Sequence, residues 1–292
     1  MQIARTRPCG LIQIKGLLHP VCSSVLAADC ARESASENTE TTRSLGAGRI
    51  PIVRFTISAR GKPVEPILLF LAKNYPAISI PQIDSVFGFV EPSTLYGGRV
   101  FVGPELTPFD VNQLYSVGVG LRIPLTNHYV EAEEYAANAT LLEKYHRDGN
   151  AVIVTNDQLA LWIRRDFPKY RIEASVIKNL KTYDRIAEAL DLYDTAVLPM
   201  ELNEDTRFLR KAPCKDRITL FGNAGCALTC PSRLCYVSVS KMNKGNGGEF
   251  KCSQGIKARQ LRGMVDFDLY RLRDMGFSRF KLLRGRENMT GY

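Results

Sequence analysis

Four cysteines near the C-terminus, Cys226, Cys230, Cys235 and Cys252, are the residues of this sequence best suited to chemistry. Three of them fall within ten residues and the fourth follows after sixteen intervening residues, in the segment from Asn223 to Gly255. A soft metal needs thiolates that converge from a short loop, completed by a more distant ligand. Gly225, Pro231, Gly245, Gly247 and Gly248 supply tight turns for such a loop. Arg233, Lys241 and Lys251 nearby favour thiolate over thiol. Three readings stay open: a four-thiolate iron–sulfur cluster, a structural zinc, and cysteines that bind nothing. The short two-residue pairs common in zinc ribbons are missing, which favours iron–sulfur over zinc. Cys214, twelve residues before Cys226 and across a predicted strand, reads as a core residue rather than a ligand.

Other reactive side chains are sparse. The histidines are His19, His128 and His146, and no nucleophile–His–acid or two-His metal pattern joins them. His146 falls late in a polar helical stretch and reads as solvent-facing. Glu173 and Glu201 lie on or just beyond predicted strands, where a carboxylate can serve as a general base, and Glu201 is the preferred catalytic candidate. An ion pair between Glu201 and a rim arginine is the plainer alternative. Tyr96, Tyr236 and Trp162 could stack a flat ring, although Trp162 also suits packing against the body of the protein.

The elements that must position these residues alternate. Strand-like runs occur at 52–57, 77–83, 99–103, 118–125, 151–155, 170–177, 195–200, 217–221 and 277–283. Helical stretches are predicted at 130–147, 157–166, 180–192 and 266–275. Thr155-Asn156 caps the second, Asn179 precedes the third, and Gly276 closes the last. Strands joined by helices of this length pair in parallel through right-handed crossovers. About eight such units in roughly 240 residues predict a (β/α)8 TIM-like barrel. The cysteine segment would then leave the strand at 217–221 on the rim where barrel enzymes place their active sites. No Gly-rich phosphate loop follows a strand, and Gly97-Gly98 reads as a turn.

The formal charge of +9 is concentrated between Arg233 and Arg286, where thirteen basic side chains face four acidic ones. Such a region could hold RNA or an anionic small molecule, or simply be a solvated face. No apolar run approaches the roughly 18–20 residues of a membrane span. Without a secretory signal, the chain reads as cytoplasmic, and its cysteines point to metal or redox chemistry rather than disulfides. Residues 1–50, including Cys9, Cys22 and Cys30, read as a variable or disordered extension, and 51–292 as the barrel domain.

Several stretches resemble the peptidase U32-like family, in the family's order, over roughly residues 150–290. VIVTNDQLALWIRRDFPKYRIEASVIKN is similar to its central strand, helix and strand, and TAVLPMELNEDTRFL to the run in which a strand ends on Glu-Leu. NAGCALTCPSR is similar to its cysteine-bearing segment. FDLYRLRDMGFSRFKLLRGR, with Lys281, Gly285 and Arg286, resembles its closing helix and strand. The extra Cys230, Pro231 and Tyr236 depart from the peptidase-type signature. The resemblance implies a [4Fe–4S] cluster held by Cys226, Cys230, Cys235 and Cys252. It also implies oxygen-independent hydroxylation of a ring, either an RNA base or the ubiquinone precursor, or alternatively U32-type peptidase activity. A related U32-like subunit would be a partner on this reading. A non-catalytic RNA-binding or accessory subunit with a structural metal is the third possibility.

Overall fold

Eight short strands pair in chain order, each parallel to the next, and the last closes on the first. They are β1 (Arg54–Ser58), β2 (Ile83–Phe87), β3 (Gly120–Leu125), β4 (Ala151–Val154), β5 (Arg171–Ala174), β6 (Thr195–Val197), β7 (Ile218–Phe221) and β8 (Arg279–Leu282). This is the predicted (β/α)8 barrel. The structure is a computed structural model that describes residues 52–230, 232–245, 248–255 and 265–285. The predicted extension 1–50 therefore lies outside the described residues, as do Pro231, Gly247, Lys257, Arg259, Arg262 and Arg286. Among the described residues no helix is long and apolar enough to cross a membrane.

Local chemistry explains the outer helices. α1 (Ile67–Asn74) and α2 (Pro108–Ser116) flank β2 in sequence. Thr107 accepts from Asp110 N while Asp110 returns a bond to Thr107 N, and Pro108 opens α2 without an amide to satisfy. α5 (Asp157–Asp166) starts at Asn156, whose side chain accepts from Leu159 N, and buries Leu159, Ala160 and Ile163. α6 (Tyr183–Leu192) is capped by Thr182. Asn179 instead takes a left-handed conformation at the end of the preceding short turn. α7 (Thr206–Lys211) leads to β7, and α9 (Leu269–Asp274), capped by Asp268, leads to β8.

Three expected elements differ. Residues 77–82 are not strand: Ser79 and Gln82 close a tight turn around Pro81, and pairing begins only at Ile83. Residues 99–103 are also irregular. β2 and β3 already pair with each other, and the Phe101 amide donates to the Asn243 side chain. The long helix expected at 130–147 breaks into α3 (Ala132–Ala137) and α4 (Ala139–Lys144). At the break, the Asn138 side chain bonds Ser93, Thr94 and the Glu134 carbonyl.

Inside the barrel the usual branched apolar filling gives way to a polar layer. Thr56, Ser85, Arg122, Glu173, Thr195, Thr219 and Lys281, from seven different strands, form one hydrogen-bonded network. Asp84 extends it by pairing with both Arg122 and Arg171. The strand residues that alternate with this layer, among them Ile57, Val86, Leu121, Val152, Ile172 and Phe280, belong to the apolar core.

Candidate functional site

A cavity of about 910 Å³ opens at the C-terminal end of the barrel. Phe87, Pro124, Ile153 and Phe221 belong to its floor, above the polar layer. The loop at 97–105, which follows β2, lines one part of it. Gly97 packs directly on the Thr126 backbone, where a Cβ would fall well inside van der Waals contact. Gly97→Ala is therefore expected to cost roughly 1–3 kcal/mol through overpacking. A denaturant midpoint unchanged from wild type would contradict that close approach.

The cysteine segment supplies the other wall. It leaves β7, turns tightly through Cys226–Thr229, and reaches Cys230. It then enters α8 (Leu234–Met242), which carries Cys235, and returns with Cys252. All four cysteines line the cavity, and no disulfides join them. Burial and the nearness of Cys226, Cys230 and Cys252 push the Cys235 thiol up to about 11. At Cys230 burial also raises the thiol, but bonds from Ser253 and from the Arg233 and Ser232 amides outweigh it and lower the pKa. Cys230 Sγ lies 3.2 Å from Arg233 N, and Cys252 Sγ lies 3.4 Å from Gln254 N. Among the described residues no three His, Cys, Asp or Glu side chains already form a metal-holding group. The donor set suits a thiophilic centre nonetheless, with four sulfurs on one cavity wall and backbone amides aimed at two of them.

Two asparagines place α8. Asn127 Nδ2 stands 2.8 Å from Thr94 O and 2.9 Å from Ser240 O. Asn243 Nδ2 reaches Tyr96 O and Arg99 O, and its Oδ1 accepts from Phe101 N. These bonds join the cysteine helix to the loops after β2 and β3. Nothing in the local sequence marks either residue, because their partners are over 100 positions away or lie in irregular loops.

Arg233 is the other brace. It adopts a left-handed backbone (φ 52°), which costs a non-glycine residue about 1 kcal/mol. Its Nη2 lies 2.7 and 2.9 Å from the two Glu201 oxygens, and its Nη1 lies 2.6 Å from Asn179 Oδ1. Lys181 adds a second cation 2.7 Å from Glu201. Burial raises the Glu201 carboxyl, but Lys181 and Arg233 prevail and hold it below its ordinary value. Glu201 is not among the cavity-lining residues, whereas Arg233 is.

The remaining candidates separate. Glu173 is buried in the polar layer, where Arg122 and Lys281 hold its carboxyl low against the effect of burial. That leaves it ionised and bonded rather than ready as a base. Tyr236 lines the cavity, whereas Tyr96 is buried against Phe89 and Phe101, and Trp162 packs on Tyr135. Phe87, Phe89, Phe221 and Phe250 are further lining rings that the sequence reading did not single out. His128 and His146 do not line the cavity. His128 Nδ1 contacts Ser240 Oγ. His146 is half-buried rather than solvent-facing, because its Nε2 accepts from Lys169 N.

Among the described residues, the cations of the basic run 233–286 turn to different partners. Lys244 pairs with Glu134, Arg279 donates to Asp216 O, and Arg271 donates to Asn203 O. Only Arg233, Lys281 and Arg284 of its described cations line the cavity, joined there by Arg60, Lys62 and Arg99. Glu105 is the single carboxylate among the described lining residues, and it pairs with Arg99.

No protein-family model and no curated protein matches the chain. Its fold matches the solved structure of the U32 peptidase Mk0906 with a TM-score of 0.56, at 11% sequence identity. The match covers 85% of this chain and 97% of that one. In its closed eight-stranded barrel, this chain resembles a U32 peptidase.

Proposed function

We propose that Cys226, Cys230, Cys235 and Cys252 hold a [4Fe–4S] cluster on the cavity wall. The protein would then act in oxygen-independent hydroxylation, or a related modification, of an aromatic ring in an RNA base or a quinone precursor. The observation that carries this reading is that all four cysteines line the cavity of about 910 Å³ at the C-terminal end of the barrel, where barrel enzymes place their active sites. When bound, such a cluster supplies electron transfer.

The chain's own residues would do the rest. Tyr236, Phe89 and Phe250 offer flat faces to a ring, and the floor of Phe87, Pro124, Ile153 and Phe221 keeps water away from it. Six lining cations against one lining carboxylate favour an anionic substrate and offset the charge of thiolate ligands. Glu201 fixes Arg233, whose amide points at Cys230. In this reading it is a positioning residue.

Peptidase activity is the second reading, favoured by the structural likeness to a U32 peptidase. The two are separated by comparing hydroxylated nucleosides and quinones in strains with and without the gene. A hydroxylated product should disappear and return with wild type but not with Cys230→Ala. Unchanged profiles, together with chelator-sensitive cleavage of gelatin by the purified protein, would replace this proposal with the peptidase.

A further inference from the structure

Lys281 stands at the cavity floor and, beyond its charge, has no part in the reading above. It projects inward from β8, its side chain is 7% exposed, and it lines the cavity. Its Nζ lies 4.5 Å from the centre of the Phe87 ring. Its carboxylate partner is Glu173, at 3.3 Å. That carboxylate is held more closely by Arg122 and also accepts from Thr195 and Thr219. The other carboxylate of the layer, Asp84, pairs with Arg122 and Arg171. The two acids are thus already balanced by two arginines, and Lys281 is a cation in excess.

Burial is the main force against its charge, and Arg122 and Arg99 add to it, while Glu173 opposes them. The amine is brought down to about 8. A structural counter-ion would not need to open onto a cavity. A desolvated amine beside other cations, among apolar rings, is the setting in which lysine acts as a neutral nucleophile.

We propose that Lys281 is a carbonyl-reactive amine, and that the cavity takes a small anionic ketone or aldehyde of the 2-oxo acid class. Arg60, Arg99 and Arg233 are among the residues lining the same cavity, and arginine suits a carboxylate. The neutral amine attacks the carbonyl carbon, so that a C–N bond forms. The two nitrogen-bound hydrogens pass to the former carbonyl oxygen, which leaves as water, and a C=N bond remains. No oxidant or reductant is consumed.

The test does not depend on the cysteines holding a metal. Purified full-length protein is incubated with pyruvate near pH 8, with cyanoborohydride supplying the hydride that traps the imine as a secondary amine. Adducts are then located by peptide mass spectrometry. Lys281 is expected to label at least about tenfold faster than the exposed Lys73 and Lys144, because its lowered pKa leaves much of this amine neutral near pH 8. Lys281→Arg, which keeps a cation beside Glu173, should retain the fold by circular dichroism and lose the adduct. Labelling of Lys281 no faster than that of Lys73 and Lys144 in the folded protein would overturn the proposal.

Discussion

Glu173→Ala is expected to destabilise the barrel by roughly 3–5 kcal/mol, because it removes the carboxylate partner of Lys281 and leaves the buried Arg122 with Asp84 alone. Glu173→Gln should lose much of the same stability while keeping the side-chain shape. Adding Lys281→Met to Glu173→Gln should restore part of it by removing the amine that has lost its carboxylate partner. Denaturant unfolding checks this, and a loss below about 1 kcal/mol for Glu173→Ala would mean that the polar layer relaxes without cost. The same layer sets the response to acid. Glu173 and Asp84 are both raised by burial but lowered further by their cations, so their folded pKa values lie below the unfolded ones. Their stabilisation is complete above the ordinary carboxylate range near pH 4 and is lost as pH falls through the lower folded values. Lys281 acts at the other end of the scale. Its folded value of about 8 lies below the unfolded value, so its contribution to stability rises with pH across that interval.

Cys235→Ser is expected to keep the fold and abolish stable cluster binding. Cys235 rides on α8, which Asn127 and Asn243 fix to neighbouring loops, so its backbone is tied to the rest of the barrel. The other three sulfurs are near enough to raise its pKa. Hydroxyl oxygen is a poor ligand for a centre that selects soft thiolates. Anaerobic reconstitution with iron and sulfide should load wild type with about four irons. The variant should hold less than about a tenth of that. Full loading would remove Cys235 from the ligand set.

Much of the barrel is written in short-range patterns. Asn156 and Thr107 sit where their side chains can cap, and the runs around β4, β5 and β7 have strand periodicity. The errors arose where long-range contacts decide. Residues 99–103 have strand-like composition, but the slot beside β2 is taken by β3, and Asn243 claims the Phe101 amide. The cysteines were legible as a group because their spacing is local. Their shared cavity depends on Asn127, Asn243 and Arg233, whose roles follow from partners distant in sequence. Glu173 looked like a rim carboxylate because sequence shows a strand position without the depth at which it sits. The basic tail looked like one surface, yet strand β8 sends Lys281 into the interior while Lys244 and Arg271 turn to partners elsewhere.

The central claim is that the four cysteines bind iron and sulfide. Its most direct test is anaerobic purification followed by an absorption spectrum and iron, sulfide and zinc analysis, on wild type and on Cys230→Ala. The account predicts a brown wild-type protein with about four irons and four sulfides, and a variant that has lost them. A colourless wild-type protein carrying one zinc, or neither metal under strictly anaerobic conditions, would contradict it.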